Sequence, residues 1–269
     1  MSNIGYKALK AAKNSIDMIN QTIENFSNVK SLGYKKKEVS FIETLNGEIE
    51  RVEGADHSQG TLRRTGDIYD VALEGPGYFE VELDNGQIAY TRVGRFKLNS
   101  DGELVTEDGY RVLPQVESST KPIIKPSSSE NNELGLNFKV ETPKLLIPPD
   151  LATEIKEDGT VNGINTDTNE KVKLGKINLV VFNNPNGLKP IGKGYYLKTD
   201  SSGQSIETEA GFGAATKVKQ GFVEFSNVSV AQEMMNLSQM KSLIAAQFKV
   251  LKVLDRIHEN INYTVGRSA

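Results

Sequence analysis

Few residues in this sequence have the types and spacing that catalysis requires. The chain holds two histidines, His57 and His258, and no cysteine. His57 stands between Asp56 and Ser58, but adjacency in sequence does not give the geometry of a Ser-His-Asp triad. Two histidines without a thiolate also make a structural zinc site a poor candidate. We therefore predict no catalytic residue, no metal ligand and no cofactor.

Carboxylates are the remaining candidates for chemistry. A glycan-cleaving enzyme needs two of them facing one cleft, roughly 5–10 Å apart. Acidic residues are plentiful in the middle of the chain, at Glu74, Glu80, Glu82 and Asp84. They flank predicted turns, where carboxylates ordinarily face solvent, and no apolar setting marks one of them for a raised pKa. A glycan-acting enzyme is therefore kept only as an alternative.

The more specific patterns are architectural. Near each end of the chain, apolar residues recur in steps of three and four, which is the spacing of a heptad seam on an amphipathic helix. The N-terminal seam comprises Leu9, Ala12, Ile16, Ile19, Ile23 and Phe26. The C-terminal seam, with Gln247 and His258 in its two gaps, comprises Leu237, Met240, Ile244, Leu251, Leu254 and Ile261.

Boundary signals delimit the two predicted helices. The first runs from residue 2 or 3 to residue 29 or 30, and Gly33 supplies the left-handed conformation common just past a helix end. The second runs over about 228–262, with Ser226–Asn227 as its cap. Such helices are marginal alone and need a partner to cover their apolar side.

The sequence between the seams indicates short strands and tight turns. Residues 38–55 alternate around Asn46–Gly47, which predicts a hairpin. X-Gly pairs then separate short β-rich runs, and such pairs permit the positive φ angles of tight hairpins. The runs are 78–83, 88–91, 96–98, 104–106 and 110–113. Further along, Asp158–Gly159 and Asn162–Gly163 are predicted turns, and 177–182 is predicted as one continuous apolar strand.

The predicted fold is mainly β with long terminal α-helices. A discontinuous antiparallel β body is combined with coiled-coil-like helices at the two ends. We divide the chain into an N-terminal helix at 1–35, a linker and hairpin at 36–55, a β domain at 56–222 and a C-terminal helix at 223–269. A polar, proline-bearing insertion interrupts the β domain at about 116–144.

Composition limits the partners that the chain can bind. A net charge of −3 gives no field that would attract a polyanion, so nucleic acid is a poor candidate. No apolar run approaches the roughly 20 residues that span a bilayer, so we expect no membrane insertion. The N-terminal residues lack the apolar segment of a Sec signal peptide. We therefore expect either a cytoplasmic protein or one exported by another route.

Six ordered segments form a longer pattern than any single motif. They are Asn-Phe-Ser-Asn-Val-Lys-Ser-Leu-Gly-Tyr-Lys at 25–35, Ser-Gln-Gly-Thr-Leu-Arg-Arg-Thr-Gly-Asp at 58–67, Gly-Pro-Gly-Tyr-Phe at 75–79, Ala-Tyr-Thr-Arg-Val-Gly-Arg-Phe at 89–96, Asn-Pro-Asn-Gly-Leu at 184–188 and Gly-Phe-Val-Glu-Phe-Ser-Asn-Val at 221–228. Together they resemble the axial proteins of the bacterial flagellum, the rod and hook family, and most of all its distal rod members.

The resemblance implies a structural subunit of the basal-body rod, the drive shaft that transmits torque from motor to hook. It implies export through the flagellar type III apparatus, helical self-assembly, and rod, hook and ring proteins as neighbours. It also implies an assembly interface made of the two seams and two residues of the first motif: Leu9, Ala12, Ile16, Ile19, Ile23, Phe26, Asn28, Gly33, Leu237, Met240, Ile244, Leu251, Leu254 and Ile261.

Alternatives remain at this point. The chain could be a proximal rod or hook paralogue of the same family. It could instead be a soluble β-domain binding module or adhesin whose two helices form one self-contained coiled coil. The two classes differ in the monomer, because a self-contained coiled coil is fully helical without any neighbour, whereas the terminal helices of an axial subunit are expected to form only on assembly.

Overall fold

The computed structural model describes residues 3–43, 49–115, 124–126, 138–140, 144–166, 168–208, 210–211 and 216–265. The chain divides into two compact units. The helical unit comprises residues 1–31, 35–58 and 226–269, and the β unit comprises 32–34 and 59–225. The backbone therefore passes between the two units four times.

In the described part of the helical unit there are four elements. They are helix α1 (Asn3–Ser27), strands β1 (Lys37–Glu43) and β2 (Ile49–Ala55), and helix α2 (Val230–Val265). The strands pair antiparallel from Lys37 opposite Ala55 to Glu43 opposite Ile49, which confirms the predicted hairpin. Its predicted turn at Asn46–Gly47 lies outside the described residues. Helix α1 packs against both α2 and β1.

Helix α1 ends two or three residues before its predicted end, at a turn that the Asn28 and Ser31 side chains support. The amide Nδ2 of Asn28 donates to the Glu24 carbonyl oxygen at 2.9 Å. The Ser31 hydroxyl in turn donates to Asn28 Oδ1 at 3.0 Å. The Val29 and Ser31 N–H groups bond to the carbonyl oxygens three residues back, at Phe26 and Asn28, so the helical pattern gives way to a turn.

The predicted cap of the second helix is wrong. Strand β20 of the β unit covers Phe222–Glu224, and α2 begins only at Val230. Asn227 does not cap the helix, because its Oδ1 accepts the backbone N–H of Lys36 at 2.7 Å and its Nδ2 donates to the Asp56 carbonyl oxygen at 2.8 Å. Asn227 therefore ties the segment before α2 to the ends of the hairpin.

Eighteen strands are described in the β unit, together with two short 3-10 helices at Pro185–Gly187 and Asp200–Ser202. The strands are β3 (Leu62–Arg64), β4 (Val71–Glu74), β5 (Tyr78–Glu82), β6 (Ile88–Thr91), β7 (Phe96–Leu98), β8 (Leu104–Thr106), β9 (Arg111–Val112), β10 (Ile124–Pro126), β11 (Phe138–Val140), β12 (Leu151–Ile155), β13 (Thr160–Asn165), β14 (Lys171–Lys176), β15 (Leu179–Phe182), β16 (Lys189–Gly192), β17 (Tyr195–Leu197), β18 (Ser205–Glu207), β19 (Lys217–Gln220) and β20 (Phe222–Glu224).

The largest sheet has the order β16-β17-β6-β5-β9-β8-β7, with β15 pairing both β5 and β18. Strands β12-β13-β14 form a second sheet, and β4–β19, β3–β20 and β10–β11 are separate pairs. Every named strand pairing is antiparallel. Strands β5 to β9 fall within the five predicted β-rich runs, so that prediction of an antiparallel unit is confirmed.

Burial explains why these short strands hold together. Side chains of several sheets meet in one large apolar cluster that includes Val71, Phe79, Leu104, Val161 and Ile177. A second, aromatic cluster comprises Tyr78, Tyr90, Val180, Phe182, Leu188 and Tyr196. Adjacent residues of β5 thus point into different clusters, as the period of two along a strand dictates.

Two local predictions in the β unit are wrong. Asn162–Gly163 lies inside β13 and forms no turn, because both residues pair with β12 on one side and β14 on the other. Gly163 also packs closely, since an added Cβ would lie 2.5 Å from Leu151 Cδ1. The apolar run 177–182 is not one strand either. Its first residue, Ile177, bridges to Pro114, and β15 begins only at Leu179. Only β10 and β11 and Lys144 are described within the predicted insertion at 116–144.

Candidate assembly interface

Helix α1 turns its polar side inward. Ala12, Ser15, Thr22 and Asn25 are buried, and Ile19 is half-buried. Two of these polar side chains hydrogen-bond within the helix, since Ser15 Oγ donates to the Ala11 carbonyl oxygen at 3.0 Å and Thr22 Oγ1 to that of Met18 at 2.9 Å. Small residues and internally bonded hydroxyls therefore form the packed face.

The apolar seam predicted for α1 mostly faces solvent in the single chain. We call Leu9, Ile16, Ile23 and Phe26 the outer stripe of α1; each exposes 38–53% of its surface. Ala12 and Ile19 are the two seam members that turn toward the packed face. Four of the six residues that sequence spacing assigned to the α1 seam are thus left about half exposed by the rest of the described chain.

Helix α2 carries two apolar stripes. The predicted seam residues Leu237, Met240, Ile244, Leu251 and Leu254 are all half-buried. A second stripe, which the sequence reasoning missed, repeats in steps of three and four at Leu243, Ala246, Val250, Val253 and Ile257. Its four large members expose 47–58% of their surface, and we call all five the outer stripe of α2. The side chain of Ile261, the last predicted seam residue, lies outside the described residues.

The middle of the helix pair is polar. Gln247 Nε2 donates to Ser15 Oγ at 3.1 Å, and Gln247 Oε1 is buried without a hydrogen-bond partner among the described residues. An unsatisfied buried acceptor costs about 1–3 kcal/mol. The contact between α1 and α2 within one chain is therefore weaker than the length of the two helices suggests.

Charged and amide side chains fix the segment at 35–37, which follows α1, to the end of α1 and to the first turn of α2. Lys35 is buried, and its Nζ donates to the Ser58 carbonyl oxygen at 2.6 Å. Lys36 Nζ lies 3.4 Å from Oε1 of Glu233, a carboxylate that is almost fully buried in the first turn of α2. The Asn25 side chain exchanges hydrogen bonds with the Lys37 backbone at 2.8 and 2.9 Å. These contacts give the segment after α1 a fixed path.

The two remaining predicted interface residues have local roles. Asn28 forms the turn that ends α1. Gly33 is left-handed, with φ of 60°, as predicted, but it lies six residues past the helix end and belongs to the β unit. Its N–H donates to the Glu224 carbonyl oxygen at 2.8 Å, and an added Cβ would lie 2.9 Å from the Arg92 carbonyl carbon.

The residues considered for catalysis have structural partners. Asp56 Oδ1 accepts the Ser58 backbone N–H at 2.9 Å, and this hydrogen bond closes a turn over residues 56–58. Burial raises the pKa of Asp56, but the Ser58 hydrogen bonds and the charges of Lys35 and Lys36 outweigh burial and lower it overall. Among the described residues, no group of three or more histidine or acidic side chains could hold a metal ion.

Three of the four carboxylates of the middle segment are engaged as well, and the fourth, Asp84, is exposed. Glu74 pairs with Lys219 at 2.9 Å and Glu82 with Arg111 at 2.9 Å. Glu80 differs from the expectation, because burial raises its pKa although the Asn178 amide donates to it. That amide hydrogen bond fixes Glu80 within the sheet.

Comparisons with known proteins define the family. A model of the flagellar hook protein FlgE/F/G D1 domain matches residues 72–163, and one of the flagellar basal body rod FlgEFG protein C-terminal region matches 219–262. The flagellar basal-body rod protein FlgG of Buchnera aphidicola subsp. Schizaphis graminum is 32% identical over 206 residues, which cover 77% of this chain and 68% of that one. FlgG of Bacillus subtilis is 28% identical over 281 residues, covering 96% of each chain.

The chain therefore belongs to the FlgE/F/G family of flagellar rod and hook proteins, as the six sequence segments predicted. Within that family it is most like the rod protein FlgG, and it is a structural subunit of the flagellar basal-body rod. A crystal structure of the Helicobacter pylori flagellar hook protein FlgE2 also matches, at 12% identity over 71% of this chain and 43% of that one, but its TM-score of 0.24 is too low to bear on the fold. Across the described residues, no helix is long and apolar enough to cross a membrane.

Proposed function

We propose that this chain is a distal rod subunit that polymerises helically through its terminal helices and so carries torque toward the hook. The observation that supports this is the pair of outer stripes. Each terminal helix of a single chain displays a row of half-exposed apolar side chains at heptad spacing. Such patches on a water-soluble surface mark sites of protein association.

The outer stripe of α1 in one copy is proposed to pack on the outer stripe of α2 in the next. The two stripes belong to different helices, so the contact is heterologous, and a heterologous contact that does not close propagates as a filament. Each α2 would then lie between its own α1 and that of a neighbour, in coiled-coil-like layers.

Energetic considerations favour assembly through many such contacts. Covering the exposed half of eight large apolar side chains contributes on the order of 8 kcal/mol. Association of two bodies costs about 4–15 kcal/mol. One contact is thus marginal, and a subunit with several neighbours is held firmly. That balance lets subunits stay apart in solution and join at a growing end.

Export and neighbours follow the family. We propose that the chain leaves the cell through the flagellar type III apparatus and is placed in the periplasm-spanning rod, next to other rod, hook and ring proteins. The absence of cysteine from the sequence suits a chain that must travel unfolded, since no disulfide has to be reduced before passage.

Charge placed on the outer stripes tests the proposal. We expect Ile16→Asp or Val250→Asp to abolish sedimentable filaments while circular dichroism of the single chain stays unchanged, because both side chains are already exposed. Asn14→Asp adds the same charge to α1 outside the stripe and should leave assembly intact. Filaments that form equally well from the stripe variants would refute the proposed interface.

One observation is the one expected of the alternative, a self-contained binding module, because an axial subunit is expected to form its helices only on assembly. Helices α1 and α2 pack on each other within one chain. A binding module would use that pair as its complete coiled coil, and stripe charges would then alter neither oligomeric state nor folding. The same sedimentation measurement therefore separates the two functions.

A further inference from the structure

The segments through which the chain enters and leaves the β unit meet in one place. Gly33 N–H donates to the Glu224 carbonyl oxygen at 2.8 Å, and Phe225 N–H donates to the Thr61 carbonyl oxygen at 2.9 Å. Leu32 and Phe225 also form an isolated antiparallel bridge. The segments through which the chain enters and leaves this unit thus lie side by side.

That arrangement offers little resistance to a force that pulls the two segments apart. In the antiparallel pair of β3 and β20, Leu62 lies opposite Glu224, so the chain continues toward residues 59 and 225 from the same end of the pair. Force applied to both chains at one end opens an antiparallel pair one hydrogen bond at a time, because each bond in turn carries the whole force. Force along the strands in opposite directions would instead share the load among all the bonds.

A buried ion pair lies at that same end. Arg92 Nε is 3.3 Å from Glu224 Oε2, and the two side chains are only 3% and 1% exposed. Glu224 Oε1 accepts the Gly60 N–H at 2.8 Å, and Arg92 Nη2 donates to the Gly75 carbonyl oxygen at 2.8 Å. Charge-assisted hydrogen bonds are about twice as strong as neutral ones.

The pair joins parts of the chain that strand pairing alone leaves separate. Through its backbone and side chain, Glu224 holds the entry segments at Gly33 and Gly60. Through Arg92, it also reaches the turn at Gly75. Peeling β3 from β20 at this end therefore breaks the Gly60–Glu224 hydrogen bond. Pulling Glu224 out of the unit through residue 225 also requires separating the buried charge pair.

We propose that Arg92 and Glu224 act as a mechanical clamp that keeps the β unit from being unzipped when force arrives through the chain at residues 59 and 225. The inference rests on the proposed function, since a subunit that transmits torque is one that loads these positions. The proposed role is resistance to force, which is a separate property from the pair's contribution to stability at equilibrium.

Forced unfolding of the full-length chain tests the clamp. Because the sequence has no cysteine, handles can be attached at Glu50→Cys and Ala231→Cys, two exposed positions in the helical unit. The length gained in an optical trap identifies the β unit. At constant force, we expect Glu224→Gln to speed its unfolding on the order of a hundred-fold, because Arg92 keeps a buried charge without its partner.

Two controls separate a clamp from general stabilisation. Glu74→Gln breaks the exposed pair with Lys219 and should leave the rate unchanged. With handles moved to Asp84→Cys and Lys189→Cys, both exposed in the β unit, Glu224→Gln should have a much smaller effect. Equal acceleration in the two geometries, or none in the first, would overturn the clamp.

A variant that keeps the charge covers the case in which Glu224→Gln does not fold. Arg92→Lys retains the ion pair but loses the fixed fork of the guanidinium and its bond to Gly75. We expect about a ten-fold acceleration in the first geometry, and an unchanged rate would contradict the clamp. None of these measurements uses filaments, so the clamp and the proposed assembly can fail separately.

Discussion

Gln247 of α2 donates a hydrogen bond to Ser15 of α1, with 3.1 Å between Nε2 and Oγ. The other side-chain atom of this amide, Oε1, is buried and has no hydrogen-bond partner within the described part of the chain. This polar contact occupies a position of the α2 seam where a coiled coil ordinarily has an apolar residue. A polar residue at a seam position lowers stability and fixes register. The helix pair is therefore built to hold a given alignment with modest strength.

Replacing that amide should strengthen the helix pair. We expect Gln247→Leu to raise the free energy of unfolding of the helical unit by about 1–2 kcal/mol, because it removes an unsatisfied buried acceptor and adds apolar contact. Urea unfolding followed by the helical circular dichroism signal measures the change. Gln239→Leu makes the same substitution at an exposed position of α2 and should have almost no effect; a similar gain there would contradict the role of Gln247.

Asn227 provides a second prediction for the helical unit. Asn227→Ala removes the acceptor for Lys36 N–H and the donor to the Asp56 carbonyl oxygen. Leaving such groups without partners costs about 1–3 kcal/mol. We expect that loss in the same urea experiment. Asn20→Ala on the exposed side of α1 is the control, and equal losses for both variants would show that Asn227 has no special role.

Part of this architecture could be predicted from sequence, and the reasons differ by element. Turn pairs such as Asp101–Gly102 locate strands because a tight turn requires a positive φ, which glycine adopts without steric cost. Heptad spacing likewise locates the apolar side of α1. Spacing does not say which partner covers a stripe, so the outward direction of Ile16 and the polar packing of Ser15 could not be read from it.

Contacts between residues that are distant in the chain could not be predicted from the sequence for a different reason. Arg92 and Glu224 appear in two separate motifs, and nothing in either motif indicates that the pair is buried together. The outer stripe of α2 did carry a signal, since Leu243, Val250 and Ile257 repeat every seven residues. It was missed because the neighbouring seam at Ile244 and Leu251 has the same period.

Gly94 gives a prediction for the β unit. An added Cβ would lie 1.6 Å from the Val71 carbonyl oxygen, and Gly94 itself accepts the Val71 N–H at 2.7 Å. Backbone atoms cannot move aside as a flexible side chain can, so we expect Gly94→Ala to cost at least about 3 kcal/mol. An added Cβ at Gly54 meets no atom of the described residues within 4 Å, and the urea midpoint of Gly54→Ala should match that of the parent chain. An unaffected Gly94→Ala protein would show that β4 is not packed as described.

Acid should weaken the β unit through Glu103. Its pKa lies below the ordinary value because Lys144 donates a hydrogen bond to it, against the opposing effect of burial, and Asn99 and Arg111 contribute further. A lowered folded-state pKa means that the stabilisation is complete above the unfolded value of about 4.3 and is lost as pH falls toward the folded value. We expect Glu103→Gln to reduce stability at pH 7 and to make the decline between pH 7 and pH 3 shallower. Asp150→Asn, at an exposed position, should leave both unchanged.

Limited proteolysis of the soluble chain tests whether the two units differ in local stability. Helix α2 presents Lys249, Lys252 and Arg256 on its exposed side, and its contact with α1 is polar at the centre. Opening of such a segment costs less than opening of a packed β core. We expect trypsin to cut α2 first and to leave a resistant fragment close to 59–225. Assembly should protect the same sites, because neighbouring subunits would cover the outer stripes. If α2 resists trypsin as long as the β core does in the single chain, the helix pair is self-sufficient and needs no neighbour, which would favour a self-contained coiled coil over a polymerising subunit.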